Sequence, residues 1–208
     1  MKSPKVFCIG FQKTGTSSIG LALERLGYRV AGYAQFRDLS QQSRLDQETL
    51  TARAIKVAQS YDAAQDTPWP ILYRDLDAAF PGSKFIHVIR DREAWIASAL
   101  KDFGNHPNSI HQVIYGCDGP LGNEETWLQQ YDRHNAEVAE YFTDRPQDFL
   151  SLKLEAGEIG WDRICGFLDA PDPGVPWPHA NKRQVKRIKM MYWKACDRLR
   201  NLFSTRAG

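Results

Sequence analysis

A short apolar run, Lys5 to Ile9 (KVFCI), ends at Gly10 and opens into the glycine-rich stretch GFQKTGTSS, Gly10 to Ser18. Thr16 to Leu26 then places Ile19, Leu23 and Leu26 on one helical face, and Gly27 stops the helix. Strand, glycine turn and helix in this order constrain the fold more than any other part of the chain, and the alternation continues downstream. Tyr28 to Ala31 reads as a second short strand and Asp46 to Tyr61 as a weakly patterned helix with Leu50, Ile55, Val57 and Ala58. Thr67 before Pro68 reads as an N-cap with proline at the first position of the helix ILYRDLDAAF, which sets Asp66 just before that helix. KFIHVIR, Lys84 to Arg90, is the strongest strand, and its near-continuous hydrophobicity suits a parallel strand covered on both faces. Asp91 can cap EAWIASALKDF, and Gly104 ends it. Residues 103–123 are rich in Gly and Pro and read as a long irregular loop, a kind usually kept for function. Glu124 to Phe142 is helical, DFLSLKL a late strand, GWDRICGFL a short helix, and a Pro-rich crossing leads to a basic C-terminal helix over 181–206.

Strands alternating with helices predict a three-layer α/β domain, a central parallel sheet with flanking helices. In such sheets ligands bind at the carboxyl ends of strands, where both the glycine loop and Arg90 fall. A chain of 208 residues suits a single domain, 1–208. No segment has the length of a membrane span, and the apolar run VFCIGF is too short for a signal-peptide core, so the expectation is a cytoplasmic protein with no membrane partner. Cys8, Cys117, Cys165 and Cys196 are scattered, without metal-ligand spacing, and read as reduced thiols. The net charge of +2 hides an asymmetry. From Asn181 onward nine Lys and Arg face one acid, Asp197, a net +8 that leaves −6 on residues 1–180. Such a tail is more often a solvated helix face than an anion or nucleic-acid surface, and no nucleic-acid partner is expected. Oligomeric state stays open, a homo-oligomer included.

The loop nearly matches the phosphate-binding loop of nucleotide hydrolases, but the lysine that should follow the second glycine is absent; Thr16 stands there, and Lys13 sits inside the loop. A tight glycine turn entering a helix aims backbone N–H groups and the positive end of the helix dipole at one point, which suits an anion. Gly10, Gly15, Thr16, Ser17 and Ser18 fit that geometry, although the same residue types serve any strand-to-helix turn. The displaced lysine argues against a Mg-dependent ATP site, even though Asp91 after HVIR imitates the second metal-binding acid.

A second anchor lies in KFIHVIRDREAWIAS. Arg90 at a strand end is a guanidinium suited to bidentate grip of a phosphate, and Ser98 lies two helical turns further on. The alternative pairs Arg90 with Asp91 or Asp75 at a structural corner and leaves Ser98 facing solvent.

Taken together, Lys13-Thr-Gly-Thr-Ser-Ser and the unit strand, Arg90, seven residues, Ser98 resemble the two cofactor signatures of sulfotransferases that use 3′-phosphoadenosine-5′-phosphosulfate (PAPS). The resemblance continues in QDTPWPILYRDL, in WLQQYDRHNAEVAEYF and in GWDRICGFLDAP…VPWPHAN, which look like a mostly bacterial and fungal branch of that superfamily. Gln12 replaces the usual proline or arginine before the lysine, and Ser17-Ser18 replaces Thr-Thr or Thr-Trp. The resemblance implies a phosphate-loop fold and transfer of a sulfuryl group to a hydroxyl or amine, with 3′,5′-adenosine bisphosphate as product and no metal. It implies that Lys13 neutralises the leaving oxygen, that Thr14, Gly15, Thr16, Ser17 and Ser18 hold the 5′-phosphosulfate, and that Arg90 with Ser98 selects the 3′-phosphate. Asp66 would be the base, since the histidine of other members has no clear counterpart. Asp66 as a carboxylate at a helix start is the alternative.

Trp69, Tyr73 and Trp95 read as core or rim aromatics rather than an adenine stack. His106 and His111 lie in the long loop and read as ordinary loop histidines or acceptor-pocket residues. Lys182, Arg183 and Lys186 read equally as 3′-phosphate contacts and as the solvated face of an amphipathic helix. Segments 32–45 and 103–123 read as pocket-forming and carry no sugar-binding or lipid-binding signature, so the small-molecule or carbohydrate acceptor stays open among carbohydrates, phenols, alcohols and amines. A kinase using ATP and Mg²⁺, or a non-catalytic nucleotide-binding protein of the same fold, is the competing reading.

Overall fold

Val6–Cys8 forms β1 at the centre of a five-stranded parallel sheet in a computed structural model that describes residues 4–180. Its neighbours are β3 (Ala63–Ala64) and β4 (Lys84–Ile89), with β2 (Val30–Ala31) and β5 (Phe149–Lys153) at the edges, giving the order β2-β3-β1-β4-β5. Val6 pairs with Ala63 on one side and Lys84 on the other, and all four ladders are parallel. From β1 the chain passes through α1 (Thr16–Arg25) to the β2 side; from β4 it passes to β5 on the opposite side. The carboxyl ends of β1 and β4 therefore flank the point where the winding reverses, the usual crevice for a ligand in such sheets.

Alternation of side chains along β1 and β4 fills both faces. Val6, Cys8, Ile86 and Val88 pack with Ile19 and Leu23 of α1 and Ile164 of α7 (Trp161–Leu168). Phe7, Ile9 and Phe85 pack on the other face with α2 (Gln47–Ser60), α3 (Tyr73–Ala79), α4 (Arg92–Phe103) and α6 (Glu124–Tyr141). Three layers result, as the alternation predicts, and most helices open and close on the residues singled out in the sequence. Asp46 caps α2 through Thr49 N, and Asp91 caps α4 through Ala94 N at 2.8 Å.

Three expectations need correction. The stretch 103–123 is not irregular throughout: α5 (Ser109–Tyr115) lies within it, because the Asn108 side chain accepts from the amides of Ile110 and His111 while Gly116 closes the helix in the left-handed region. Thr67 is not an N-cap. The Thr67–Pro68 bond is cis, Pro68 precedes a 3-10 turn over Trp69–Leu72, and α3 starts only at Tyr73. The second strand is Val30–Ala31, shorter than Tyr28–Ala31.

Contacts divide the chain into one unit from Met1 to Trp177 and another from Pro178 to Gly208. The fold above is that of the first. Of the second only 178–180 are described, so the expected basic helix over 181–206, with Lys182, Arg183 and Lys186, lies outside the described residues. No helix among the described residues is long and apolar enough to cross a membrane.

Candidate active site

Beyond β1 the ladder continues for one residue, Ile9 N donating to Ile86 O at 2.8 Å, and then the chain must turn under β4. A Cβ on Gly10 would stand 2.4 Å from Val88 O, so no other residue fits there. Thr14 folds the loop on itself: its amide and its hydroxyl both donate to Phe11 O, at 3.3 and 2.7 Å. Its hydroxyl is thus turned inward. Lys13 (φ 73°) and Gly15 (φ 100°) adopt left-handed backbone. This turn leaves the amides of Gly15, Thr16 and Ser17 without an acceptor among the described residues, while Gly15 supplies no side-chain cap and the first turn of α1 contains no acid. Orphan amides and an unopposed helix dipole suit this end of α1 to an anion.

The loop is fastened from the β4–α4 unit at three points. Arg90 Nη1 donates to Lys13 O at 3.0 Å, Trp95 Nε1 donates to Gln12 O at 2.9 Å, and the Lys13 ammonium pairs with the Asp102 carboxylate. Arg90 is itself held by the Tyr131 hydroxyl, which accepts from Arg90 N at 2.8 Å and donates to Arg90 O at 2.7 Å. Its acidic neighbour is neither Asp91 nor Asp75 but Glu155, 3.6 Å from Nε, and the buried Nε has no hydrogen-bond partner. Glu155 also accepts from Asp91 N at 2.9 Å. Ser98 is half-buried, its hydroxyl bonded to no described residue, and it precedes Asp102 by four positions on α4. Residues so spaced share a helix face, so Ser98 lies on the face that meets the loop.

Asp66 sits two residues beyond β3 with φ 74°, its Oδ1 accepting from Thr67 N at 2.9 Å. It is joined to the loop through Gln12, whose side chain is buried between two partners. Thr67 Oγ1 donates to Gln12 Oε1 at 3.0 Å, and Gln12 Nε2 donates to Tyr115 Oη at 2.7 Å. Burial pushes the Tyr115 hydroxyl well above its ordinary range, the Gln12 bond opposes this, and the nearby Asp66 charge adds to it. Burial likewise pushes the Cys8 thiol up to about 12, with Asp66 again contributing, so that Cys8 is no nucleophile. Besides Asp169, the described non-glycine residues with positive φ are Lys13 and Asp66, the two residues expected to do chemistry. Backbone held in this region costs on the order of 1–3 kcal/mol and collects at functional sites.

Buried histidines take no part. Burial lowers His87 to about 3 and His134 to about 4; His134 Nε2 donates to Ile9 O at 2.8 Å, and His87 Nε2 to Asn135 Oδ1 at 3.0 Å. His111 is buried against Phe103 and Trp127, its Nδ1 donating to Asp118 O, and is not a pocket residue. His106 is exposed. Trp69, Tyr73 and Trp95 are core residues, as read from the sequence. Sequence reasoning missed Gln12 as a bridge, Tyr131, Glu155 and Asp102; of these only Asp102, four residues after Ser98, carried a local signal.

Comparison with known proteins agrees with this geometry. The profile of the sulfotransferase domain family matches residues 5–185. The chain is 27% identical over 232 aligned positions to Ava biosynthesis cluster protein M of Aspergillus versicolor, covering 91% of this chain and 86% of that one. Its fold is similar to the crystal structure of a sulfotransferase from Alicyclobacillus acidocaldarius, with a TM-score of 0.52, 13% identity, and 94% and 93% of the two chains covered. The family match spans the glycine loop, Asp66, Arg90 and every strand of the sheet, and the chain therefore belongs to the sulfotransferase domain family, enzymes of sulfuryl transfer.

Proposed function

We propose that the protein transfers a sulfuryl group from PAPS to a hydroxyl or amine of an acceptor, releasing 3′,5′-adenosine bisphosphate. The observation that carries this reading is the bond from Arg90 to the Lys13 carbonyl, which brings together the two units read as phosphate-binding. When bound, PAPS supplies an activated sulfuryl group on a phosphosulfate anhydride. One observation suits such a ligand: the orphan amides at the start of α1. Gly15, Thr16, Ser17 and Ser18, beside Lys13 and behind the turn made by Thr14, would hold the 5′ side. Arg90 and Ser98 would hold the 3′-phosphate.

Three tasks fall to the chain's own residues: positioning, taking up a proton and neutralising a leaving oxygen. Asp66 accepts the proton of the acceptor as its oxygen or nitrogen bonds to sulfur. The Lys13 ammonium, released from Asp102, balances the charge on the phosphate oxygen as its bond to sulfur breaks. No step requires a metal. Free thiols at Cys8, Cys117 and Cys165 suit a reducing, cytoplasmic setting, and we extend the reading to one domain over 1–208.

Calorimetric binding of 3′,5′-adenosine bisphosphate against ADP and AMP, with and without Mg²⁺, tests the reading. Metal-independent binding that needs the 3′-phosphate is expected. Mg²⁺-dependent binding of ATP or ADP, with none of the bisphosphate, would make the protein a kinase instead. Bisphosphate binding indifferent to Asp66, with no transfer to any acceptor, would mark a non-catalytic member of the fold.

A further inference from the structure

Between the segment Ser40 to Thr49 and the start of α5 lies a cleft of about 760 Å³ that the phosphate site does not use. Leu45 and Pro107 are the apolar residues of its lining, and no aromatic ring contributes to it. Its two carboxylates are engaged: Asp46 accepts from Thr49 N at 2.7 Å and Asp118 from Asn108 N at 3.3 Å. The side chains of Gln41, Ser43, Arg44 and Gln112 also line it and form no hydrogen bond with another described residue. What the cleft offers is therefore a set of exposed amide, hydroxyl and guanidinium groups that the fold leaves to water or a ligand.

The walls are braced rather than loose. The Ser109 hydroxyl donates to the carbonyls of Ser40, at 3.4 Å, and Gln42, and Asn108 Nδ2 donates to the Tyr33 hydroxyl at 3.1 Å. These bonds tie the 33–42 stretch to the head of α5. The tail of the same helix reaches the site of transfer, because Tyr115 accepts from Gln12 beside Lys13, and Gln12 accepts from Thr67 beside Asp66. With a rise of 1.5 Å per residue, Gln112 lies about 5 Å and Ser109 about 9 Å along α5 from Tyr115. One short helix thus sets the spacing between the cleft and the reacting groups. Asp66 is not among the residues lining the cleft, so a single phenol placed at Asp66 would leave it empty. An apolar ligand would strand the polar lining without partners, at a cost of about 1–3 kcal/mol for each group.

We infer that this cleft is an acceptor subsite for a hydroxyl-rich, saccharide-like molecule whose reacting hydroxyl is presented to Asp66 and Lys13. The inference rests on the sulfuryl-transfer reading above. In the step it serves, the acceptor O–H gives its proton to Asp66 and its oxygen bonds to sulfur. The bond from sulfur to the phosphate oxygen breaks, and the bisphosphate departs with the electron pair. Contacts in the cleft are remote from the bonds that change, so they hold the acceptor in place for the reaction.

The test uses the full-length protein loaded with 3′,5′-adenosine bisphosphate, with maltotriose and cellotriose as probes of binding by saturation-transfer NMR. Transfer of labelled sulfuryl from PAPS to the same trisaccharides and to 2-naphthol is measured in parallel. At least one trisaccharide is expected to bind and to be sulfated. The double variant Arg44→Leu, Gln112→Leu should raise KM for it about tenfold or more, the loss of one or two hydrogen bonds. Bisphosphate affinity, kcat and any transfer to 2-naphthol should not change. A loaded protein that binds neither trisaccharide, a preference for 2-naphthol, or an unchanged KM in the double variant would each overturn the inference. Failure of the wild-type protein to bind the bisphosphate at all would overturn the underlying reading, and the acceptor subsite with it.

Discussion

Arg90 donates from its guanidinium to the carbonyl oxygen of Lys13 at 3.0 Å, across 77 positions of sequence. One side chain thus shapes the loop and stays beside it, where the proposed 3′-phosphate would sit. Arg90→Ala should weaken 3′,5′-adenosine bisphosphate binding about 10- to 100-fold, the range for losing one or two charge-assisted hydrogen bonds. AMP, which lacks the 3′-phosphate, should lose only a few-fold from the slackened loop. Calorimetry with both ligands decides, and equal losses would refute the 3′-phosphate assignment.

Lys13 is paired with Asp102 by side chains that are 16% and 35% exposed. A partly solvated pair of this kind is worth about 1 kcal/mol or less, so the ammonium is held but not locked. Asp102→Asn should therefore tighten bisphosphate binding by about two- to fivefold. Lys13→Ala should lower turnover about 100- to 1,000-fold while the melting temperature stays put. Near-normal turnover in that variant would remove Lys13 from the mechanism.

Asp66→Asn is a clean probe of the base, because Asn accepts left-handed backbone and can still take the Thr67 amide. Bisphosphate affinity should be unaltered and turnover should fall about 100- to 10,000-fold. Undiminished transfer would assign the proton to another group.

Gln12→Met keeps the volume of the side chain but strips the Tyr115 hydroxyl and the Thr67 hydroxyl of their shared partner in the interior. The expected cost is about 1–3 kcal/mol, read as a melting temperature lower by roughly 2–12 °C in a chain of this size. A variant as stable as the parent would show that the bridge is ornamental.

Acid should destabilise the protein through its two interior histidines. Their folded values lie near 3 for His87 and 4 for His134, below the usual 6.5 of an unfolded chain. Between these limits the unfolded chain binds protons that the folded chain refuses, so stability is complete above about pH 7 and declines as pH falls toward 4. Urea midpoints at pH 7.5, 6 and 5 should decrease in that order. A constant midpoint would mean that neither ring is buried neutral.

Legibility in the sequence followed the range of the interactions. The β1–loop–α1 and β4–α4 units were readable because apolar runs, glycine punctuation and the Asp91 cap act within a few residues. The two-residue strand Ala63–Ala64 has no periodicity to read, and α5 was masked by flanking glycines and prolines although Asn108 and Gly116 mark its ends. Proline at 68 looked like a helix start because sequence does not reveal which isomer the preceding bond adopts. In the site, Lys13, Asp66 and Arg90 were legible as residue types in a pattern. Their partners were not: Tyr131 lies 41 positions from Arg90 and Asp102 lies 89 from Lys13, and only the winding of the sheet brings such pairs together.

The three fastenings from Arg90, Trp95 and Asp102 bear on how the chain acquires its activity during synthesis. The motif Gly10 to Ser18 is made well before Arg90, and what shapes it arrives with the fourth strand and the helix after it. A nascent chain that ends before Arg90 carries the letters of the motif without the cradle they spell. The shaped loop is thus reserved for chains that have already closed the centre of their sheet, and a product that stops before Arg90 would lack it.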